Sequence, residues 1–264
     1  MKKIMNISIW AAILAYLTMA LSFVTEKHNN TICSQINVHI QDSLQDKFIT
    51  DDDIKDFIHG LDEKILGQPI KQINIRRLEQ LISKKPVVKA TEIFFTGNGD
   101  LNIEIDQRNP ILRVVNKKGQ NYFIDDEGAI IPLRGNKFSH TLVANGEILE
   151  FFELAKTNWL NCPENRKNNN KNYSICDIYE MAKFINQDPF WKSQIEQIYL
   201  NKKGKYELVP RVGAHLIKFG SFNNYTEKFR NLKAFYKKGL NNVGWNQYLV
   251  INLKYDDQII CKKR

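Results

Sequence analysis

Residues 73–114 read INIRRLEQLISKKPVVKATEIFFTGNGDLNIEIDQRNPILRV, and three local patterns follow one another inside them. Asn74 stands where a helix wants an N-cap, and Ile75, Leu78, Leu81 and Ile82 then recur at the spacing that lines one face of a helix. Pro86 ends that helix, because its ring removes a donor and restricts the residue before it. Val87–Phe95 and Leu101–Asp106 follow as two strands, the second alternating apolar and polar as LNIEID. The stretch between them, Thr96-Gly97-Asn98-Gly99-Asp100, carries an Asn-Gly pair, a strong short-range signal for a hairpin. Gly97 and Gly99 lack the third glycine and the following helix of a dinucleotide-binding turn, so they read as turn residues.

Upstream, Gln35–Gln41 alternates polar and apolar residues and predicts a half-buried strand ending near Asp42. Thr50 followed by Asp53 resembles a capping box, and it opens a helix with Ile54, Phe57, Ile58 and Leu61 on one side. The three consecutive aspartates there do not have the alternating ligands or the sixth-position glycine of a calcium loop. The order from Gln35 to Asp106 is therefore strand, helix, helix, strand, strand.

Downstream the pattern changes to short strands divided by turn residues. Ile111–Val115, Asn121–Ile124 and Ala129–Leu133 are separated by Lys117-Lys118-Gly119 and Asp125-Asp126-Glu127-Gly128, which predicts an antiparallel meander. A helix is expected over Glu147–Lys156 and another over Asp177–Asn186, with a solvated, mobile Asn-rich loop between them. The strand theme returns at Ile195–Leu200, Tyr206–Val209 and Ala214–Phe219. A helix over Tyr225–Lys238 follows, with Phe229, Leu232, Phe235 and Tyr236 on one side. Leu249–Tyr255 and Gln258–Lys263, joined by Asp256-Asp257, close the chain as a hairpin at a sheet edge.

The segment Ile4–Val24, IMNISIWAAILAYLTMALSFV, has no charged residue, and at about 1.5 Å per residue it reaches roughly 30 Å, the thickness of a bilayer core. A cleaved leader would want an apolar core of roughly 7–15 residues and a small-x-small site; this run continues through Leu21, Phe23 and Val24, so a retained anchor is favoured. Lys2 and Lys3 precede the span, and the positive-inside bias keeps that end in the cytoplasm and exports the remainder. The expected organisation is a tail over 1–3, a transmembrane helix over 4–24, a linker over 25–32, and folded domains over 33–108 and 109–264.

The formal charge of +9 comes from lysines scattered among acids. No basic helix interleaved with aromatics appears, which argues against nucleic acid. His28, His39, His59, His140 and His215 share no ligand spacing with one another or with Cys or acid, and no cofactor is implied. No G-x-S-x-G, H-E-x-x-H or P-loop pattern occurs, so the chain reads as a non-enzyme. Cys33, Cys162, Cys176 and Cys261 admit three pairings. Cys162 and Cys176 flank the polar stretch PENRKNNNKNYSI and form the preferred bridge, with four buried or free thiols as the alternative.

The segment quoted at the outset resembles the POTRA domain of the FtsQ/DivIB family of bacterial cell division proteins: a helix with a Leu-Glu pair leads through proline and valine into a hairpin ending in Gln107-Arg108-Asn109-Pro110. YFIDDEGAIIPL, YELVPRVGAHLIKFG and INLKYDDQIICKK are similar to segments of that family's second, β-rich domain. The resemblance implies an α+β protein with one N-terminal transmembrane helix, a β-α-α-β-β POTRA domain and an antiparallel β-rich domain with flanking helices. It further implies a divisome scaffold in the inner membrane at the septum, connecting cytoplasmic ring components to the septal peptidoglycan synthase complex. Its bitopic partners would be FtsB/FtsL-like proteins adding a strand at the C-terminal hairpin, with Tyr255, Gln258, Ile259, Ile260 and Cys261 as the matching positions. The alternatives are another POTRA-bearing envelope-assembly protein, or an anchored cell-wall enzyme.

Overall fold

The computed structural model of the chain describes residues 10–19, 31–41, 48–61, 64–133, 141–153, 159–162, 174–255 and 258–264. Residues 10–19 are helical and exposed (α1) and lie within the expected span Ile4–Val24, the rest of which falls outside the described residues. Among the described residues no helix is long and apolar enough to cross a membrane. The chain divides into two compact units, Met1–Gln107 and Arg108–Arg264.

In the first unit the order is β1 (Ile36–Gln41), α2 (Asp51–His59), a 3-10 turn (Ile70–Gln72), α3 (Ile75–Ser83), β2 (Val88–Phe95) and β3 (Leu101–Gln107). The strands form one sheet in the order β1-β3-β2, with β1 parallel to β3 and β2 antiparallel to it. The two helix starts form as their sequences dictate. Asp53 N donates to Thr50 Oγ1 (3.2 Å) while Thr50 N donates to Asp53 Oδ2 (2.8 Å), a complete capping box. Arg77 N donates to Asn74 Oδ1 at 3.0 Å. Ile54, Ile58, Leu78 and Ile82 pack with Leu101, Ile103 and Ile105 into one buried cluster. In the hairpin turn Gly99 has φ +89°, and a Cβ there would stand 2.4 Å from Ile32 O, so the turn needs glycine.

The second unit contains β4 (Pro110–Val115), β5 (Asn121–Asp125), β6 (Ile130–Pro132), β7 (Leu142–Gly146), α4 (Ser174–Gln187), α5 (Pro189–Gln194), β8 (Ile195–Leu200), β9 (Tyr206–Pro210) and β10 (Leu216–Gly220). These lead into α6 (Tyr225–Phe235), a π-helical turn (Tyr236–Leu240), the short α7 (Asn241–Val243), β11 (Tyr248–Tyr255) and β12 (Gln258–Lys263). The described strands build one sheet in the order β12-β11-β10-β9-β8-β7-β4-β5-β6. The meander β4-β5-β6 is antiparallel as expected, but the sheet as a whole is mixed: β7 is parallel to β4 and to β8, and β10 is parallel to β11. The reason lies in the connections. Parallel neighbours need a crossover rather than a tight turn, and α4 with α5, then α6 with the π turn, supply two of them. β7 and α5, which carry this change of direction, had no distinct signature in the sequence.

The helix expected over Glu147–Lys156 is absent in residues 147–153; residues 154–156 lie outside the described ones. Backbone groups of this segment are taken by side chains and strands instead. Gln120 both accepts from Phe152 N (3.1 Å) and donates to Phe152 O (2.6 Å), Asn116 Nδ2 donates to Glu150 O, and Lys117 N donates to Ile148 O. Buried Ile148 and half-buried Phe152 are thereby laid on the core as an extended strap. Cys162 and Cys176 are disulfide-bonded with Cα atoms 5.7 Å apart, while Cys33 and Cys261 are free. The Asn-rich loop between the bonded pair lies outside the described residues.

Candidate partner-binding edge

The last two strands are built from inside outward. Ile251 and Leu253 of β11 are 0% and 2% exposed and join the core cluster that holds Phe229 and Leu232 of α6, which anchors β11 between that helix and β10. Among the described residues β12 then pairs antiparallel with β11 alone: Val250 lies opposite Lys262, Ile251 opposite Cys261, Asn252 opposite Ile260 and Tyr255 opposite Gln258. Register irregularities fall between Tyr248 and Val250 and between Asn252 and Tyr255. At the chain end Arg264 fastens the strand, its N–H donating to Gln247 O (3.1 Å) and its guanidinium to Ala214 O (3.0 Å).

All five residues singled out from the sequence fall on this hairpin, in two groups. Ile259 and Cys261 turn toward the core and are half-buried; partial burial also pushes the Cys261 thiol above its ordinary pKa. Gln258 is exposed, Ile260 is 43% exposed and Tyr255 51%. Period-two alternation in QIICKK accounts for the division. Lys262 and Lys263 of β12, Lys254 of β11 and the terminal Arg264 are also exposed, so the edge is basic.

Two features beside the hairpin had no clear mark in the sequence. A small, shallow cleft lies between the first turns of α6 and the hairpin, bordered by Glu227 and Asn231 on one side and Tyr255, Gln258 and Ile259 on the other. Lys228 is also there, its aliphatic part buried and its ammonium donating to Ser221 O at 2.8 Å. The spacing of Glu227, Lys228 and Asn231 on a helix is visible, but nothing in it indicates which strand that helix covers.

Two of the other three borders of the described sheets are blunted, while β1, like β12, has a strand on one side only among the described residues. β6 is three residues long and ends in Pro132, and Ala129, just before it, forms a bridge with Trp159. In the first unit Ile93 N of the border strand β2 donates to the Glu79 carboxylate at 3.2 Å. Short border strands, proline and side-chain acceptors each blunt an edge. Among the described residues no group of three or more His, Cys, Asp or Glu is placed to hold a metal ion.

A β-α-α-β-β module followed along the chain by a broad mixed sheet is the architecture of the POTRA-bearing class. Family models give the same division: a POTRA-like domain matches residues 31–106, and the model described as FtsQ/DivIB, C-terminal related, matches residues 109–262. The chain belongs to the FtsQ/DivIB family of cell division proteins. No curated protein matches it.

Proposed function

We propose that the protein is a non-enzymatic scaffold of the division machinery, anchored by Ile4–Val24 with its N-terminus in the cytoplasm, whose β12 edge receives a strand from a bitopic partner. The two working modules are residues 33–108 and 109–264. The single observation that carries the reading is the position of β12: it has β11 on one side and no strand on the other among the described residues. An open strand offers backbone donors and acceptors to an incoming chain, and the alternating side chains set its register. Tyr255, Gln258 and Ile260 would meet that chain, while Ile259 and Cys261 hold the strand on the core. FtsB/FtsL-like proteins are the expected partners, and the septal peptidoglycan synthase complex is the expected destination. The Cys162–Cys176 bond supports an exported position, since structural disulfides persist in oxidising compartments.

The test is Ile260→Pro. Proline removes a backbone donor and fixes φ, so capture of the FtsB-like partner by the full-length protein should fall at least about tenfold, while circular dichroism and melting temperature stay near those of the parent. Undiminished capture by a folded variant would sink the edge-strand reading. In cells, a fluorescent fusion should gather at mid-cell and depletion should produce filaments.

A further inference from the structure

The second unit holds its disulfide at a defined structural position. Cys176 is 1% exposed, in the first turn of α4, and one helical turn later Tyr179 donates its hydroxyl to Asp126 O at 2.8 Å. Its bonded partner, Cys162, ends the segment 159–162. Within that segment Leu160 N donates to Gly128 O at 2.7 Å, Trp159 bridges to Ala129 at the start of β6, and Leu160 packs on the core. The Arg108 guanidinium lies over the Trp159 ring, 4.9 Å from its centroid. It also donates to Asp125 Oδ2 at 2.8 Å, in an ion pair whose side chains are only 13% and 1% exposed. One face of α4 thus fastens both the Asp125–Gly128 turn, through Tyr179, and the strip lying over it, through the disulfide.

We propose that the Cys162–Cys176 bond is a thiol-controlled clasp: intact, it holds residues 159–162 across the Arg108–Asp125 pair and the start of β6, and when reduced it releases that cover. The chemistry is an exchange with a dithiol reductant. One reductant thiolate attacks Sγ of half-buried Cys162, breaking the disulfide and expelling Cys176 as a thiolate, which takes up a proton. The second reductant thiol then breaks the mixed disulfide; Cys162 leaves as a thiolate and is protonated. Two cysteine thiols are formed and the dithiol is oxidised to its own disulfide, so electrons and protons balance. Release would leave β6 without its bridge to Trp159, giving the sheet a second accessible border.

Hydrogen exchange on the full chain, oxidised and after tris(2-carboxyethyl)phosphine, tests this with alkylation and mass spectrometry to count thiols. On reduction, exchange at the Leu160 amide, which donates to Gly128 O, should rise by roughly tenfold or more, while β8, β9 and β10 stay protected. Trp159→Ala with the bond intact should speed exchange at Leu160 but not in β8–β10. Unchanged exchange at Leu160 in the reduced protein would overturn the clasp. So would a uniform rise through β8–β10, which would make the bond a staple for the whole unit. Neither result bears on β12, so this idea and the partner-edge reading can fail separately.

Discussion

Gln107 and Arg108 are neighbours in the chain and act in different units. Gln107 is 5% exposed, and its Oε1 accepts from both Phe48 N (3.0 Å) and Ile49 N (3.2 Å), tying the end of β3 to the backbone just before α2. Arg108 serves the second unit through Asp125, whose carboxylate also accepts from Glu127 N and Ala129 N. Arg108→Ala would leave that buried carboxylate without its counter-charge. We expect a loss of about 3 kcal/mol from the second unit, near the low end for a broken buried pair because the two backbone donors remain. Gln107→Ala should cost the first unit about 1–3 kcal/mol, from removing the acceptor that the Phe48 and Ile49 amides share. Chemical denaturation followed by hydrogen exchange in each unit measures both; a loss that appears in the opposite unit would refute the assignment.

At the scale of elements, the residue just before β10 is tied to the π turn after α6 by a buried pair. His215 Nε2 lies 2.7 Å from the Tyr236 hydroxyl, the rings meeting edge to face, and burial holds the imidazole below its ordinary pKa of 6.5. The unfolded chain therefore takes up a proton at this site before the folded one. Stability from the site is complete above the ordinary value and is lost as the pH falls below it toward the folded value. Between about pH 7.5 and about pH 5.5 the parent should lose more melting temperature than His215→Gln, which cannot titrate; parallel curves would refute the linkage. The pairing of α6 with β10 could not be read from the chain, because local patterns report on an element's own face and not on its mate. Caps and hairpin were legible for the opposite reason: Thr50 with Asp53, Asn74, and the turn at Gly99 are settled within a few residues. The segment 147–153 misled because Ile148, Phe151 and Phe152 fit helical spacing, whereas the acceptors and donors that hold it extended come from Asn116 and Gln120, far off in sequence. The five edge residues were legible through the family resemblance and the alternation of the last strand; their division into inward and outward groups needed the register with β11.

For the whole molecule, the charge carried by the β12 border bears on the proposed strand addition. Lys262, Lys263 and Arg264 lie along or just beyond β12, with Lys254 on its neighbour. A strand of mixed or acidic character can align there, but a second copy added parallel and in register would set Lys262 and Lys263 against their own counterparts a few ångströms away, and like charges facing across a ladder destabilise it. If β12 receives a partner strand as proposed, its charge disfavours that kind of self-pairing. That protection is purely coulombic, so salt should weaken it: the screening length contracts from about 10 Å at 0.1 M to about 3 Å at 1 M. Sedimentation should find monomers at low ionic strength and growing self-association at high, and Lys262→Glu should shift the onset; a salt-independent monomer would refute this. On the proposed reading the basic edge is a form of quarantine, which would keep the strand vacant for an unlike chain.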